Sequence, residues 1–599
     1  MSRIKKRHIG YWICWAFSYV IIAHYSELDL VDLLFLSLAA GSMTYVTCFE
    51  GKTQPTRTRM GMQFALWMIA AYFCFALYGR SMFMQQARFE MTVSRLFAFA
   101  LLTVVFYPCA LGALAVMKRV RFLEKPLQER EKKPRLTGLL CGLIVFAVGL
   151  LLTLGYYPCT LTGDSVTHWN TAIGKQAMDD YSPIAYNLLL KALFSLTNQY
   201  SPFVYVLFQL LMLSVVAGDI CTYLSRKRVK QGILLIGSTL FAACPSTYML
   251  CLYLSKNPLS AIFNLWVTIS MIEVITDGEY YLRKPVWFGK TILAVLGLLL
   301  VRENNIVVAI PFSGFIIWFL TSHRQYKERL LIVIVGVLFG IGLMQGVVYR
   351  NTDYSHVEKQ HETIRPLLAP VGSAIKQELP LPDRIMEIAE TVLPIEEWKA
   401  RYDPFNSDLI TWRDPRPEYA QISLKQAFST YFLMLRIYPD VVIKDRLDGA
   451  NLIWDIRAKM DRRCPIDHNR DVSFRETRIE ASGLIGKVYL EIQNLSSSLF
   501  KVSSSEDIID VFIWKNGIYV YLLLVLILFL AETHNSKLLW AIGPSVAILM
   551  TYVLVIAWQM YFYIWFFPLS VVLLMIVAVI ENQRDKENLF GSVKNFSHI

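Results

Sequence analysis

The chain has 599 residues, of which 55% are hydrophobic and 18% charged, with a mean hydropathy of +0.42. That balance excludes a soluble protein of this length, which carries more charge and lacks repeated apolar runs of about 20 residues. The formal charge of +12 does not mark a nucleic-acid-binding face, because the bases sit in short connections between the apolar runs.

Apolar segments run over 9–24, 29–48, 61–79, 95–117, 138–157, 203–224, 231–252, 258–276, 286–301, 305–320, 329–349, 511–531, 537–557 and 561–580. They predict an all-α polytopic membrane protein, a bundle of about fourteen spans. The connections on one side read MSRIKKRH, EGKTQPTRTR, KRVRFLEKPLQEREKKPR, SRKRVK, DGEYYLRK, SHRQYKER, ETHNSK and ENQRDKEN. Most are rich in Lys and Arg, which predicts that this side and both termini are cytoplasmic. The other side receives a loop at 158–202 and a hydrophilic segment at 351–510 with about five more acids than bases, a balance suited to translocation. Segments 286–301 and 305–320 are short, and merging them would invert everything downstream. The first apolar segment lacks a small-residue cleavage site and reads as a retained helix.

Four regions follow. Residues 1–136 form a four-span module ending in a basic cytoplasmic linker, and 137–350 form the membrane core with the 158–202 loop. Residues 351–510 form an extracytoplasmic domain of about 160 residues, long enough for a core of its own. Residues 511–599 form three closing spans and a cytoplasmic tail. The extracytoplasmic stretch alternates Pro-punctuated loops with runs such as PDRIMEIAETV and SLKQAFSTYFLMLRIYP, so it reads as mostly α.

Most of the ten cysteines lie within apolar segments, where they act as small hydrophobes. Cys159 and Cys464 lie outside, too few for a disulfide scaffold. CxxC, HExxH, P-loop and dinucleotide motifs are all missing, which argues against a protein-built zinc site and against nucleotide hydrolysis.

Any chemistry therefore rests on dispersed polar residues of the outer side. In YYPCTLTGDSVTHWN, residues 156–170, a hydrophobic run breaks into a polar loop carrying Asp164. That carboxylate is either a solvated loop acid or a base acting at the membrane surface. Lys256, in YLSKNPLS, and Arg302, in LVRENNIVVAIP, stand in tight connections of the same side, where the orientation rule provides no reason for a base. Each alone reads equally as a snorkelling side chain. Together with Asp164 they outline an anion site at headgroup depth, since Lys and Arg are the usual partners of phosphate.

The run YYPCTLTGDS followed by DDYSPIAYNLL resembles the first outer loop of GT-C-type membrane glycosyltransferases, in particular a multi-pass bacterial branch. LSKNPLSAIF is similar to that branch's W-K-D-x-P-F element and VRENNIVV to its R-x-N-G element. The run DRIMEIAETVLPIEEWKARYDPFNSDLI, with IYPDVVIKDRLDGANLIWD after it, is similar to its ectodomain. The likeness covers roughly residues 140–580 by order and spacing. The chain departs from the pattern at Cys159 for a Gly, Ser182 for a His, Asn257 for an Asp and Asn305 for a Gly. QMYFYIWFFP lacks the Arg of an Arg-Tyr-Phe element.

The resemblance implies a GT-C-like bundle that moves a sugar from a polyprenyl-phosphate carrier to an extracytoplasmic acceptor, a cell-envelope glycopolymer by analogy. Asp164 would be the general base, with inversion at the sugar. Lys256 and Arg302 would hold the departing lipid phosphate, and Asn304 belongs to the same element as Arg302. His168 and Asp180 would position the acceptor or are ordinary polar loop residues. Aromatics in TWRDPRPEY are candidates for sugar stacking or for packing. No nucleotide cofactor is implied, and the chemistry is compatible with a divalent cation at the phosphate. Two other classes fit a large helical bundle: a transporter or lipid flippase, with ionisable residues near span midplanes, and a non-catalytic envelope assembly protein. A transferase requires Asp164, Lys256 and Arg302 to lie within about 15 Å, because a base and a phosphate clamp flank one sugar.

Overall fold

The computed structural model describes residues 2–49, 60–123, 133–161, 163–197, 201–357, 360–411, 419, 421–458, 483–504, 508–555 and 560–596. Among these the chain is all α, with isolated bridges and no β-strand. Among the described residues nine helices are long and apolar enough to cross a bilayer, or up to eleven when two bent pairs each count as one span. The protein is therefore a polytopic helical membrane protein.

Each apolar segment predicted from the sequence is occupied by helix. Ser2–Tyr25 and Leu30–Phe49 have 24 and 20 residues, whereas Pro285–Val301 falls short of the length of a full span. The last has 17 residues and reaches about 25 Å, against roughly 30 Å of hydrocarbon. Two segments expected to be continuous are bent. Gln231–Ala243 and Pro245–Cys251 meet at 57°, where Cys244 is extended and Pro245 has no N–H to continue the ladder. Ile508–Trp514 and Asn516–Glu532 meet at 69° across Lys515, which is extended at φ −106°, ψ 112°. Segments 286–301 and 305–320 stay distinct: Arg302 is extended at φ −147°, ψ 121° between Pro285–Val301 and the 3-10 turn Glu303–Val308.

Ion pairs between elements sort into two sets. One set joins Arg80 to Asp448 at 2.9 Å and to Asp455 at 2.8 Å, Arg457 to Asp32, and Lys515 to Asp510 at 3.1 Å. The other joins Lys118 to Glu532, Lys227 to Asp277 and Glu581, and Lys290 to Asp219 and Glu273. Lys515 precedes the Asn516–Glu532 helix and Glu532 ends it, so the two sets lie at opposite ends of the bundle. Every pair joins residues that strict alternation of the predicted segments puts at one end.

The Lys256–Tyr281 helix is the hub. Nearly all of its apolar stretch is buried inside the bundle, whereas Arg324–Asn351 faces mostly outward. The hub's polar residues Asn264, Thr268 and Glu273 are buried with it, as expected of a span that faces other helices rather than lipid. A second, separate core is built from residues between Ile364 and Val442, around Trp398, Val392 and Met434. Ala450 to Ala458 and the helix Gly483–Ser504 pack on the bundle core instead.

Candidate functional site

The segment before Asp164 is laid directly against the segment before Lys256. Thr160 donates its N–H to the Leu252 carbonyl at 3.1 Å, and Leu254 donates to the Thr160 carbonyl at 3.4 Å. The second segment of this contact is fixed from behind by the Phe203–Arg226 helix. Gln209 donates to the carbonyls of Cys251 at 3.1 Å and Tyr253 at 2.8 Å, and the Tyr205 hydroxyl donates to that of Ser255 at 2.8 Å. Ser255 then caps the Lys256–Tyr281 helix, its Oγ accepting from the Asn257 N–H at 3.3 Å. This cap is the Ser-before-helix arrangement expected for a sharp start.

Asp164 occupies the first turn of the helix Gly163–Ala172 and is exposed. A carboxylate there is favoured by the helix dipole, which gives it a structural reason to exist beside any chemical one. His168, one turn on, is buried, and its Nε2 lies 3.4 Å from Ser182 Oγ. Lys256 Nζ donates to the same hydroxyl at 3.0 Å, so Ser182 joins the two. Desolvation first, and the Lys256 charge second, push the His168 imidazole down to about 3. It is a neutral ring at any ordinary pH.

Arg302 is 8% exposed. Its Nη1 donates to Asn257 Oδ1, and its guanidinium lies 5.1 Å from the Tyr552 ring centre and 5.2 Å from that of Tyr563. Among the described residues no carboxylate lies within ion-pair distance of Arg302. Ring contacts of roughly 0.5–2 kcal/mol each offset part of the cost of desolvating a cation. They do not cancel its charge. Asp164 and Arg302 both lie within electrostatic range of the Tyr563 phenol, as does Asp408. The three residues singled out by sequence thus belong to one connected cluster: Asp164 and His168 on one helix, Lys256 through Ser182, and Arg302 through Asn257 and Tyr563.

The remaining candidates are placed differently. Asp180 accepts from the Val357 N–H at 2.7 Å and contacts His356 Nδ1. It ties the 158–202 loop to the chain entering the hydrophilic segment. Asn304 is exposed on the Glu303–Val308 turn. Its neighbour Asn305 is buried and anchors that turn, donating to Ser260 Oγ and the Leu298 carbonyl, both at 2.8 Å. Apart from Thr411 and Tyr419, the TWRDPRPEY segment lies outside the described residues, as does Cys464. Among the described residues no three His, Cys, Asp or Glu side chains converge as metal ligands.

Sequence reading missed Tyr552 and Tyr563, which lie some 250 residues beyond Arg302 in the chain. It also registered Ser182 and Asn257 only as departures from a motif, whereas they hold Lys256 and Arg302. The arrangement offers a cation at a helix N-terminus, a second cation fixed by neutral groups, and a carboxylate nearby. That combination suits an anionic group with a protic partner beside it. No protein family matches the chain, and no curated protein or solved structure is detectably similar to it.

Proposed function

We propose that the chain is an inverting membrane glycosyltransferase of the GT-C type, moving a sugar from a polyprenyl-phosphate carrier to an extracytoplasmic acceptor such as an envelope glycan. The observation that carries this reading is Arg302, buried among an amide and two tyrosine rings with no carboxylate at ion-pair distance among the described residues. A cation kept in that state is poised for an anion supplied from outside the protein. Lys256, at the N-terminus of the hub helix, adds a second positive charge beside it. In the reaction, Asp164 takes the proton of the acceptor hydroxyl as its oxygen attacks the anomeric carbon. The bond from that carbon to the phosphate oxygen breaks, and its electron pair goes to the lipid phosphate, where Arg302 and Lys256 meet the growing charge. A phosphate leaving group needs no proton, so one carboxylate suffices.

This reading comes with a topology: about fourteen crossings, both termini cytoplasmic, and the Asp164 end outside. Reporter fusions test it, with one after Lys133 expected inside and one within 380–420 outside. An internal reporter at the second site would remove Asp164 from the outer face. The reaction itself is tested by lipid analysis of cells lacking the protein. Accumulation of a polyprenyl-phosphate sugar is expected, and an unchanged carrier-lipid profile with unchanged envelope glycans would refute the assignment. A transporter reading draws on Asp219, Glu273 and Lys290, ionisable groups inside predicted spans. Those three are mutually paired at the end of the bundle away from Asp164, which favours a structural role for them.

A further inference from the structure

The helix Gly483–Ser504 belongs by sequence to the hydrophilic segment, yet it is anchored to the membrane bundle where spanning helices end. Ser496 Oγ donates to the Leu152 carbonyl at 2.9 Å, and the Tyr248 hydroxyl donates to the Ser496 carbonyl at 2.8 Å. A Cβ at Gly155 would come within 3.1 Å of Gln493 Cα. Further along, Ser503 Oγ accepts from Trp514 Nε1 at 3.2 Å, just before the bend at Lys515. Both anchors are at the Asp164 end, so the helix lies across the bundle at a membrane–water boundary. Its surface divides lengthwise. Ser496 and Ser503 are buried toward the bundle, while Lys487, Glu491, Asn494, Ser498 and Lys501 form an exposed polar edge. Between them runs a row of Val488, Leu495 and Val502, each about half exposed. A repeat of seven residues is close to two turns, which keeps the three on one line. Exposed apolar side chains of the spans adjoin the row. Leu151 ends the exposed line Leu136, Leu140 and Leu143 of the Pro134–Leu154 helix, next to the carbonyl that Ser496 binds. Ile509 and Phe512 are exposed on Ile508–Trp514, the first half of a bent span.

We infer that Gly483–Ser504 is an interfacial helix, with the row Val488, Leu495 and Val502 seated in the phospholipid leaflet at the Asp164 end and the charged edge among the headgroups. Continuity argues for lipid as the occupant: the row extends an apolar surface that the spanning helices already present to the bilayer. The division of the helix argues for the same. One face is held by protein, one edge is apolar, and the edge beyond it carries two lysines and a glutamate, the pattern of a helix lying in the plane of an interface. The Tyr156 hydroxyl donates to Ser497 Oγ at 3.3 Å, and Tyr156 opens the loop that carries Asp164. The seated helix thereby holds that loop at headgroup depth. The inference is independent of the transferase reading and of which end of the bundle is cytoplasmic.

The test uses the full chain reconstituted into vesicles of phosphatidylethanolamine and phosphatidylglycerol, with a nitroxide attached at Leu495→Cys, Asn494→Cys or Leu490→Cys. Parental protein treated in the same way supplies the background from native cysteines. Leu490 is the sharper control, because it is apolar and exposed but lies about 140° round the helix from Leu495. Spin relaxation by oxygen, which concentrates in hydrocarbon, is compared with relaxation by a water-soluble nickel chelate. Oxygen is expected to dominate at Leu495→Cys and the nickel chelate at Asn494→Cys and Leu490→Cys. Val488→Cys and Val502→Cys should repeat the Leu495 result, so the test does not hang on one variant. Nickel dominating along the whole row would overturn the inference by placing that edge in water. A row shielded from both reagents would overturn it as well, because protein, such as a second copy of the chain, would then cover the edge in place of lipid.

Discussion

Two buried clusters, one at each end of the bundle, handle charge in opposite ways. At one end Lys290, only 12% exposed, sits 2.6 Å from Asp219 and 2.7 Å from Glu273, and Lys227 sits 2.9 Å from both Asp277 and Glu581. At the other end Arg302 is equally buried and is met by Asn257, Tyr552 and Tyr563. The first pattern satisfies charge within the fold and holds helices together. The second keeps a charge unspent inside the protein, which costs stability and pays only when an anion arrives. Burial alone therefore does not separate a structural cation from a binding one; the identity of its partners does.

The largest expected effect lies at the Asp164 end. Asp164→Asn keeps shape and removes the proton acceptor, so sugar transfer should fall at least about 10²-fold with the carrier lipid still bound. Asp179→Asn, next to the site in sequence, is the control and should change little. Purified, folded Asp164→Asn protein with full transfer activity would break the contrast, leaving Asp164 as a helix-dipole residue.

At the opposite end the comparison predicts a loss of stability with chemistry intact. Lys290→Met leaves Asp219 and Glu273 without their shared cation, and breaking a buried pair in this way costs about 3–5 kcal/mol. Denaturant unfolding should show that loss, while transfer per folded molecule stays at the parental rate. A selective loss of transfer in well-folded Lys290→Met would instead make this cluster part of the working site.

A smaller effect concerns His168. Its imidazole is lowered from 6.5 to about 3 in the folded protein, so the unfolded chain takes up a proton first as pH falls. Its contribution to stability is complete above about pH 6.5 and is lost progressively as pH drops toward 3. His168→Gln should flatten that part of the pH dependence of the thermal midpoint. An identical pH profile in the variant would show that the ring is not held neutral by burial.

The positions of the apolar helices were legible in the sequence because length and hydropathy alone decide which segments can enter a bilayer. The break at Arg302 was legible too, since a cation and two amides interrupt two apolar runs there. The bends at Cys244 and Lys515 were less so, although Pro245 carried the signal for the first. Asp219, Glu273 and Lys290 were visible as ionisable residues inside or at the ends of apolar segments, the usual flag for buried pairs, yet nothing local showed that they pair with one another. What could not be read was the company of Arg302. Tyr552 and Tyr563 come from helices that reach it only through tertiary packing, and no local pattern encodes that contact. Asn257 illustrates the same limit: as a motif position it reads as a missing carboxylate, and in the fold it is the neutral group that holds Arg302.

The central claim is that Arg302 is kept for an exogenous phosphate, and direct binding tests it best. Purified protein should bind a short-chain polyprenyl phosphate, measured by calorimetry in detergent. Arg302→Ala should weaken binding at least about tenfold, the equivalent of one charge-assisted hydrogen bond or more. Arg302→Lys should fall between the two, keeping charge and losing the fork. Folded Arg302→Ala protein that binds the lipid phosphate as tightly as the parent would contradict the account.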